Sequence, residues 1–338
     1  MRLNRRSIII FIIAITFMIL LVGYRMPYYI YKPGGADALD PIVAVNNGHN
    51  SEGDMHLVTI RGGQATPLQY LWASIRPYHD IEPISEVFPE GITQEQYFEA
   101  QLQMMESSQQ SSMVVAYQAA DKQIEIDYKG IYVVSVIEGM PADGILESGD
   151  KIVEIDNQKV SQSDDLIDYV STKEEGTIID VTIEREKEQL TKEIELVSFP
   201  GDVNKVGIGI QLVTDREVKV DQKVEFASGN IGGPSAGLMF TLEIYDQLTE
   251  EDLTKGLQIA GTGTMGYEGQ VGRIGGIDKK VIAADKEGCD IFFAPNEGGA
   301  EDSNYQVARQ TAEEIGTDMK IVPVDTFQDA INYLKQLD

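Results

Sequence analysis

The 338-residue chain has one cysteine, three histidines and one tryptophan, and it carries far fewer basic than acidic side chains, 27 against 55. A lone Cys289 excludes an internal disulfide framework. It lies between Gly288 and the extended run Asp290-Ile291-Phe292-Phe293, where it reads as a small buried hydrophobe. No cysteine–histidine cluster has metal-ligand spacing, and no glycine-rich G-x-x-x-x-G-K-[ST] loop is present, so neither a metal nor a nucleotide cofactor is expected. A net charge of −28 disfavours nucleic acid and anionic lipid as partners. The three histidines, His49, His56 and His79, all precede residue 80 and read as loop or strand polar residues.

What is present begins at the amino terminus. Arg2, Arg5 and Arg6 precede an uncharged run from Ile8 to Gly23. As a helix its sixteen residues extend about 24 Å, near the short limit for crossing a bilayer. Continuation through Tyr24, snorkelling of Arg25, and a belt of Tyr24, Tyr28, Tyr29 and Tyr31 favour an uncleaved single-pass anchor over a signal peptide. The positive-inside rule then puts the rest of the chain outside the cell membrane. Residues 32–54 are turn-rich and read as a linker. Thr93-Gln94-Glu95-Gln96 is a capping box opening a helix to about Ala120, whose Ser/Gln stretch at 107–112 reads as a polar face or a break.

The strongest chemical signal is Gly232-Gly233-Pro234-Ser235-Ala236-Gly237, followed by an apolar run of helical spacing. Glycines allow close backbone approach to a reacting carbonyl, and Pro234 suits a first helical turn. Ser235 then sits near a helix amino terminus, where developing negative charge is stabilised. A serine needs a base. In Gly276-Ile277-Asp278-Lys279-Lys280, Asp278 is expected to cap a helix that Gly288 ends. Helical spacing puts Lys280 on the face of Ile277, Ala283 and Ala284, and Lys279 on a solvated one beside Lys286. A lysine on an apolar face loses hydration, and its neutral amine can take a proton. Gly261-Thr262-Gly263-Thr264-Met265-Gly266 fits the dinucleotide fingerprint by letter, but the segment after it reads as turn and strand, which rejects a nicotinamide site.

Three blocks carry a resemblance: Gly-Pro-Ser-Ala-Gly at 233–237, Ala-Gly-Thr-Gly at 260–263, and Gly-Gln-Val-Gly-Arg-Ile-Gly-Gly-Ile-Asp-Lys-Lys at 269–280. Over residues 200–338 the chain resembles the proteolytic domain of Lon-type serine–lysine peptidases. The resemblance implies Ser235 as nucleophile, Lys280 as general base and Thr262 as a hydroxyl that holds the lysine amine, with Gly233 and Pro234 supporting the turn. Many members have an acidic residue where this chain has Gly232. No ATP-driven motor is present, so peptides and already unfolded segments are the expected substrates.

Residues 124–198 resemble a PDZ domain of the bacterial-protease kind, through Met140-Pro141-Ala142, Gly149-Asp150-Lys151-Ile152 and Ile155-Asp156. That resemblance implies a peptide-carboxylate loop at Lys129, Gly130, Ile131 and Tyr132, with Leu166 and Val170 lining the groove. The expected whole is an α+β protein in four parts. An anchor (1–31) leads to a linker with the first part of the protease domain (32–123), then an inserted PDZ domain (124–198) and the catalytic domain (199–338). It resembles the membrane-anchored, PDZ-bearing Lon-type proteases of Gram-positive bacteria. The implied activity is an extracellular serine endopeptidase acting on peptides such as a secreted signalling peptide, and a homo-oligomer is compatible with it. The alternative is a non-catalytic, surface-tethered peptide binder.

Overall fold

The computed structural model describes residues 5–88, 93–199 and 202–337. Helix α1 (Arg5–Gly23) opens the chain and exposes apolar side chains on all sides. Among the described residues no helix is long and apolar enough to cross a membrane. The expected span is therefore not supported, because the uncharged stretch of about 24 Å falls short of a hydrocarbon layer about 30 Å thick. Arg2 lies outside the described residues.

The expected linker is instead structured. Strand β1 (Tyr28–Ala38) pairs antiparallel with β2 (Asp54–Gln64) across a bulge between Pro33 and Ala36. Proline lacks the N–H that a ladder needs, so it fits at the irregularity. A Cβ at Gly34 would lie 2.3 Å from the Thr59 carbonyl oxygen, so only glycine passes there. Val43–Val45 forms a further short strand against Val224–Phe226. The tyrosine belt is also corrected. Tyr29 is buried against Val87 and Phe88, with Tyr31 packed on the same cluster, because β1 belongs to the protein's own sheet.

That mixed sheet adds β3 (Asp80–Pro83), β9 (Gln258–Gly261), β10 (Ile291–Pro295) and β11 (Lys320–Val324), in the order β11-β10-β9-β2-β1-β3. Strands β9, β10 and β11 run parallel to β2, so segments from both ends of the chain complete one sheet. Helix α2 (Gln94–Ala119) starts at the Thr93 capping box with Gln96, as its sequence predicts. It packs beside α4 (Gly237–Leu248), almost every residue of which is buried. An apolar circumference of this kind needs cover on all sides. One core accordingly unites Leu39, Met55, Met105 and Val115 with Phe240 and Phe293.

A second core, containing Ile131, Ile152, Leu166, Ile179 and Ile183, lies under a separate sheet. Its strands β4 (Ile124–Val136), β5 (Lys151–Ile155), β6 (Ile178–Arg185), β7 (Glu188–Glu195) and β8 (Ile210–Val220) run in the order β8-β4-β5-β6-β7. Helix α3 (Ser163–Ser171) packs on it. The chain thus leaves the first core after α2 and returns after β8. Arg185 reaches back to the almost fully buried Asp150 through Nε at 2.6 Å and Nη2 at 2.7 Å, tying β6 to the turn before β5.

Candidate active site

Ser235 sits in a 3-10 turn, Pro234–Ala236, that runs directly into α4. Gly233 enters the turn at φ +89°, a backbone conformation that favours glycine. Helix α2 holds this turn through backbone carbonyls. Gly233 N–H donates to Gln101 O at 2.8 Å, Ser108 Oγ donates to Pro234 O at 3.1 Å, and Ser112 Oγ lies 2.9 Å from Gly237 O. The predicted polar face at 107–112 is thus partly inside the protein, with Ser108, Ser111 and Ser112 all buried. No local pattern links these serines to a loop more than a hundred residues away.

On the opposite side, Thr262 follows β9 and donates through Oγ1 to Ser235 O at 2.9 Å, while Gly263 N–H donates to the same carbonyl at 3.0 Å. Helix α5 (Ile277–Glu287) brings in Lys280, whose Nζ lies 2.7 Å from Ser235 Oγ and 2.9 Å from Thr262 Oγ1. Because the Thr262 proton is committed to Ser235 O, its oxygen is left to accept from the amine. Lys280 is 3% exposed, and Ile277, Ala283 and Ala284 are buried on its helix. Burial alone lowers its pKa to about 7, and among the described residues no carboxylate pairs with it. When the amine is neutral, Ser235 O–H donates to its lone pair, which is the geometry of a nucleophile and its base.

Two expectations about this helix are corrected. Asp278 does not cap it, since the capping position is the left-handed Gly276 and Asp278 lies inside the first turn. Lys279 is not solvated. It is buried and paired with Asp80 on β3 and with Asp278 at 3.0 Å, and those carboxylates hold its pKa above the ordinary value against the opposing effect of burial. The end of α5 at the left-handed Gly288 agrees with the sequence. No helix directly follows the Gly261–Gly266 fingerprint, where a short hairpin pairs Thr264–Met265 with Val271–Gly272. The histidines find partners elsewhere: His56 Nε2 meets Gln258 Oε1 at 2.6 Å, and His79 Nδ1 meets Pro77 O at 3.0 Å. Cys289 is buried, which pushes its thiol up to about 12.

The expected peptide-carboxylate loop is not where the sequence places it. Gly130, Ile131 and Tyr132 lie inside β4, paired with Asp215, Thr214 and Val213 of β8, and Ile131 and Tyr132 also pair with β5. Their backbone is engaged in the ladder, and Lys129 pairs with Asp127 and with Glu217 at 3.5 Å. Leu166 and Val170 do line a cavity, of ≈ 500 Å³, but its other wall is Val206–Ile210 with Leu212. The alternation Gly207-Ile208-Gly209-Ile210 ahead of a long extended run is the signal that points to it.

Comparison with known proteins gives matches over two parts of the chain. Residues 182–336 match the Lon protease (S16) C-terminal proteolytic domain, and residues 101–196 match a PDZ domain. The Lon protease of Aster yellows witches'-broom phytoplasma is 31% identical over 100 residues, which is 30% of this chain and 12% of that protein. The Lon protease of Malacoplasma penetrans is 34% identical over 118 residues, 34% of this chain and 14% of that protein. The chain therefore matches only a small fraction of these relatives' length. Among solved structures, the PDZ domain of the SdrC-like protein from Listeria monocytogenes is 32% identical, covering 26% of this chain and 93% of that one, with a TM-score of 0.25. That from Listeria innocua is 36% identical, covering 25% and 93%, with a TM-score of 0.24. The sequence matches are thus to a Lon-type proteolytic domain and to a PDZ domain.

Proposed function

We propose that this chain, a serine protease of Lon type by those matches, is an ATP-independent endopeptidase in which Ser235 and Lys280 form the catalytic dyad. The observation that carries the reading is the 2.7 Å approach of Lys280 Nζ to Ser235 Oγ, made by an amine that burial drives toward neutrality. Ser235 attacks the scissile carbonyl, Lys280 takes the hydroxyl proton and then gives it to the leaving amine, and water enters by the same route to release the acyl group. Thr262 positions the amine. Gly233 N–H is already bonded to Gln101 O and Pro234 has no N–H, so the oxyanion falls to Ser235 N–H at the open start of its turn.

The reading extends to substrate and place. Unfolded protein segments and peptides are the substrates, a secreted signalling peptide being one such class, and the cavity between α3 and residues 206–212 receives part of the chain being processed. Helix α1 holds the protein at the cell membrane with the catalytic part outside. The apolar side chains that α1 exposes beyond its first residues, Arg5 and Arg6, support attachment to a membrane. Membrane fractionation with protease shaving of intact cells tests it, and recovery of the full chain in the soluble fraction would overturn it.

The catalytic reading is tested by incubating the purified chain with a peptide library and reading cleavage by mass spectrometry. The wild type cleaves, whereas Ser235→Ala and Lys280→Ala do not while remaining folded. Full cleavage by Lys280→Ala would remove the dyad. A purely peptide-binding protein has no use for the Ser235–Lys280 contact, and nothing in the geometry favours that alternative.

A further inference from the structure

The short helix Pro67–Ala73 opens at Thr66, whose hydroxyl accepts from Gln69 N–H while the Gln69 side chain accepts from Thr66 N–H. One side of it faces inward, where Ala73 is buried with Ile30 and Ala65, and Tyr70 packs on that cluster. The other side carries Leu68, Leu71 and Trp72, with Ile75 in the turn that follows, and each is more than half exposed. Their spacing, three, four and seven residues on from Leu68, puts these side chains on one face. Elsewhere outside residues 8–24, exposed large apolar side chains among the described residues stand singly along the chain or as the pair Phe98 and Leu102. We infer that this face is a second membrane contact, seated in the headgroup region of a phospholipid bilayer beside α1.

The inference rests on the membrane attachment proposed for α1 and adds to it the part of the body that meets lipid. Helix α1 ends at Gly23 and lies against the short helix. Arg25 Nη1 donates to Gln64 O at 3.0 Å and Met26 N–H donates to Ala65 O at 2.8 Å, so the residues leaving α1 are tied to those entering the short helix. A bilayer that takes up the exposed apolar side chains of α1 therefore borders this face. Charge agrees. Residues 24–36 and 55–79 contain none of the chain's 55 acidic residues and four of its basic ones, Arg25, Lys32, Arg61 and Arg76. The acidic residue that follows the second segment, Asp80, is paired with Lys279. A strongly acidic chain thus leaves both segments free of carboxylates, which anionic headgroups would repel. The Arg76 guanidinium lies 4.4 Å from the Trp72 ring centroid, pairing a ring suited to the interface with a cation suited to phosphate. Attachment through α1 alone leaves the catalytic part free to pivot, and a second contact fixes its orientation.

Trp72 is the only tryptophan of the chain, so its emission reports on this face alone. The full chain is inserted by detergent dilution into preformed vesicles of phosphatidylcholine and phosphatidylglycerol. Lipids brominated near the headgroup end of their acyl chains should quench Trp72 more strongly than lipids brominated near the methyl end. Aqueous iodide should quench it less than it quenches the chain unfolded in urea. The double variant Leu71→Glu, Ile75→Glu should shift the emission to longer wavelength and lose the bromine quenching, while it still floats with the vesicles through α1. Flotation of the wild type with no bromine quenching, and with iodide access as in the unfolded chain, overturns the second contact and leaves the attachment of α1 intact. A short-wavelength emission without bromine quenching, growing with the number of chains per vesicle, gives the face to a second copy and also overturns the inference. Failure of the wild type to float overturns both readings.

Discussion

Lys279 and Lys280 are adjacent on one helix, both buried, and are driven in opposite directions by what faces them. Lys279 meets Asp80 and Asp278, which keep its ammonium charged, whereas Lys280 meets the hydroxyls of Ser235 and Thr262. With no carboxylate among the described residues paired to it, burial lowers the Lys280 pKa to about 7.

A depressed lysine pKa has a consequence for stability. The unfolded chain binds the Lys280 proton at the ordinary value of about 10.4, and the folded chain binds it only near 7. Stability therefore rises with pH between those values, and the burial of this amine is most unfavourable at pH 7 and below. Lys280→Met should raise the unfolding free energy at pH 7 by an amount on the order of a few kcal/mol, with the gain shrinking toward pH 10. Denaturant titration at pH 7 and pH 9.5 checks this, and a gain that grows with pH would contradict it.

Thr262→Val removes the hydroxyl that both accepts from Lys280 and donates to Ser235 O. The expected loss is about ten- to a hundredfold in kcat, the scale of one or two hydrogen bonds in the transition state, with little change in KM. Steady-state kinetics on a peptide that the wild type cleaves decides it. An equal rise in KM at constant kcat would assign Thr262 to substrate binding.

Ser112→Ala removes the one hydroxyl that lies within hydrogen-bond reach of both Ser108 O and Gly237 O and so bridges α2 to the start of α4, while Ser111 and Thr241 still donate to those carbonyls. A loss of about 0.5–1.5 kcal/mol is expected from denaturant unfolding, with a fall in kcat because the turn carrying Ser235 is less firmly held. Unchanged stability would show that the bridge is dispensable.

Glu243, inside α4, is almost fully buried beside Asp40 and Asp246, and burial pushes its carboxyl up to about 8. The folded state then holds a proton that the unfolded state releases near 4.3, so stability falls as pH rises between those values. Glu243→Gln removes that dependence and keeps an oxygen that can accept from Gln247. The variant should melt higher than wild type at pH 8, with the advantage fading by pH 5. Equal melting temperatures at pH 8 would contradict the shift.

The local chemistry of this protein is legible in its sequence, and most of the long-range chemistry is not. Thr93 and Thr326 open their helices through side-chain caps, and Gly288 ends α5, because those signals act within a few residues. Ser235, Thr262 and Lys280 stand out by their sequence blocks alone, and the fold brings their side chains together. Pro33-Gly34-Gly35 reads locally as a linker, yet the reason for those residues is the close passage of Thr59 on a neighbouring strand. A glycine before an apolar run occurs at Lys129–Tyr132 as well as at Gly207–Ile210, so local pattern does not choose between them as the peptide-carboxylate loop. The long-range pairing of β4, on one edge at Gly130 and on both at Ile131 and Tyr132, is what takes up the backbone of the first of them. The burial of Lys279 is hidden for a similar reason, as its partner Asp80 lies on β3, some two hundred residues earlier.

The central claim is that the Lys280 amine is neutral when it meets Ser235, and its titration can be followed directly. Selective labelling of lysine Nζ, with Lys280→Arg used to assign the resonance, gives the midpoint in the folded protein by NMR. The account predicts a midpoint at about 7, matched by a rise in kcat/KM over the same pH range. A midpoint at the ordinary lysine value of about 10.4, with activity already complete at pH 6, would contradict it.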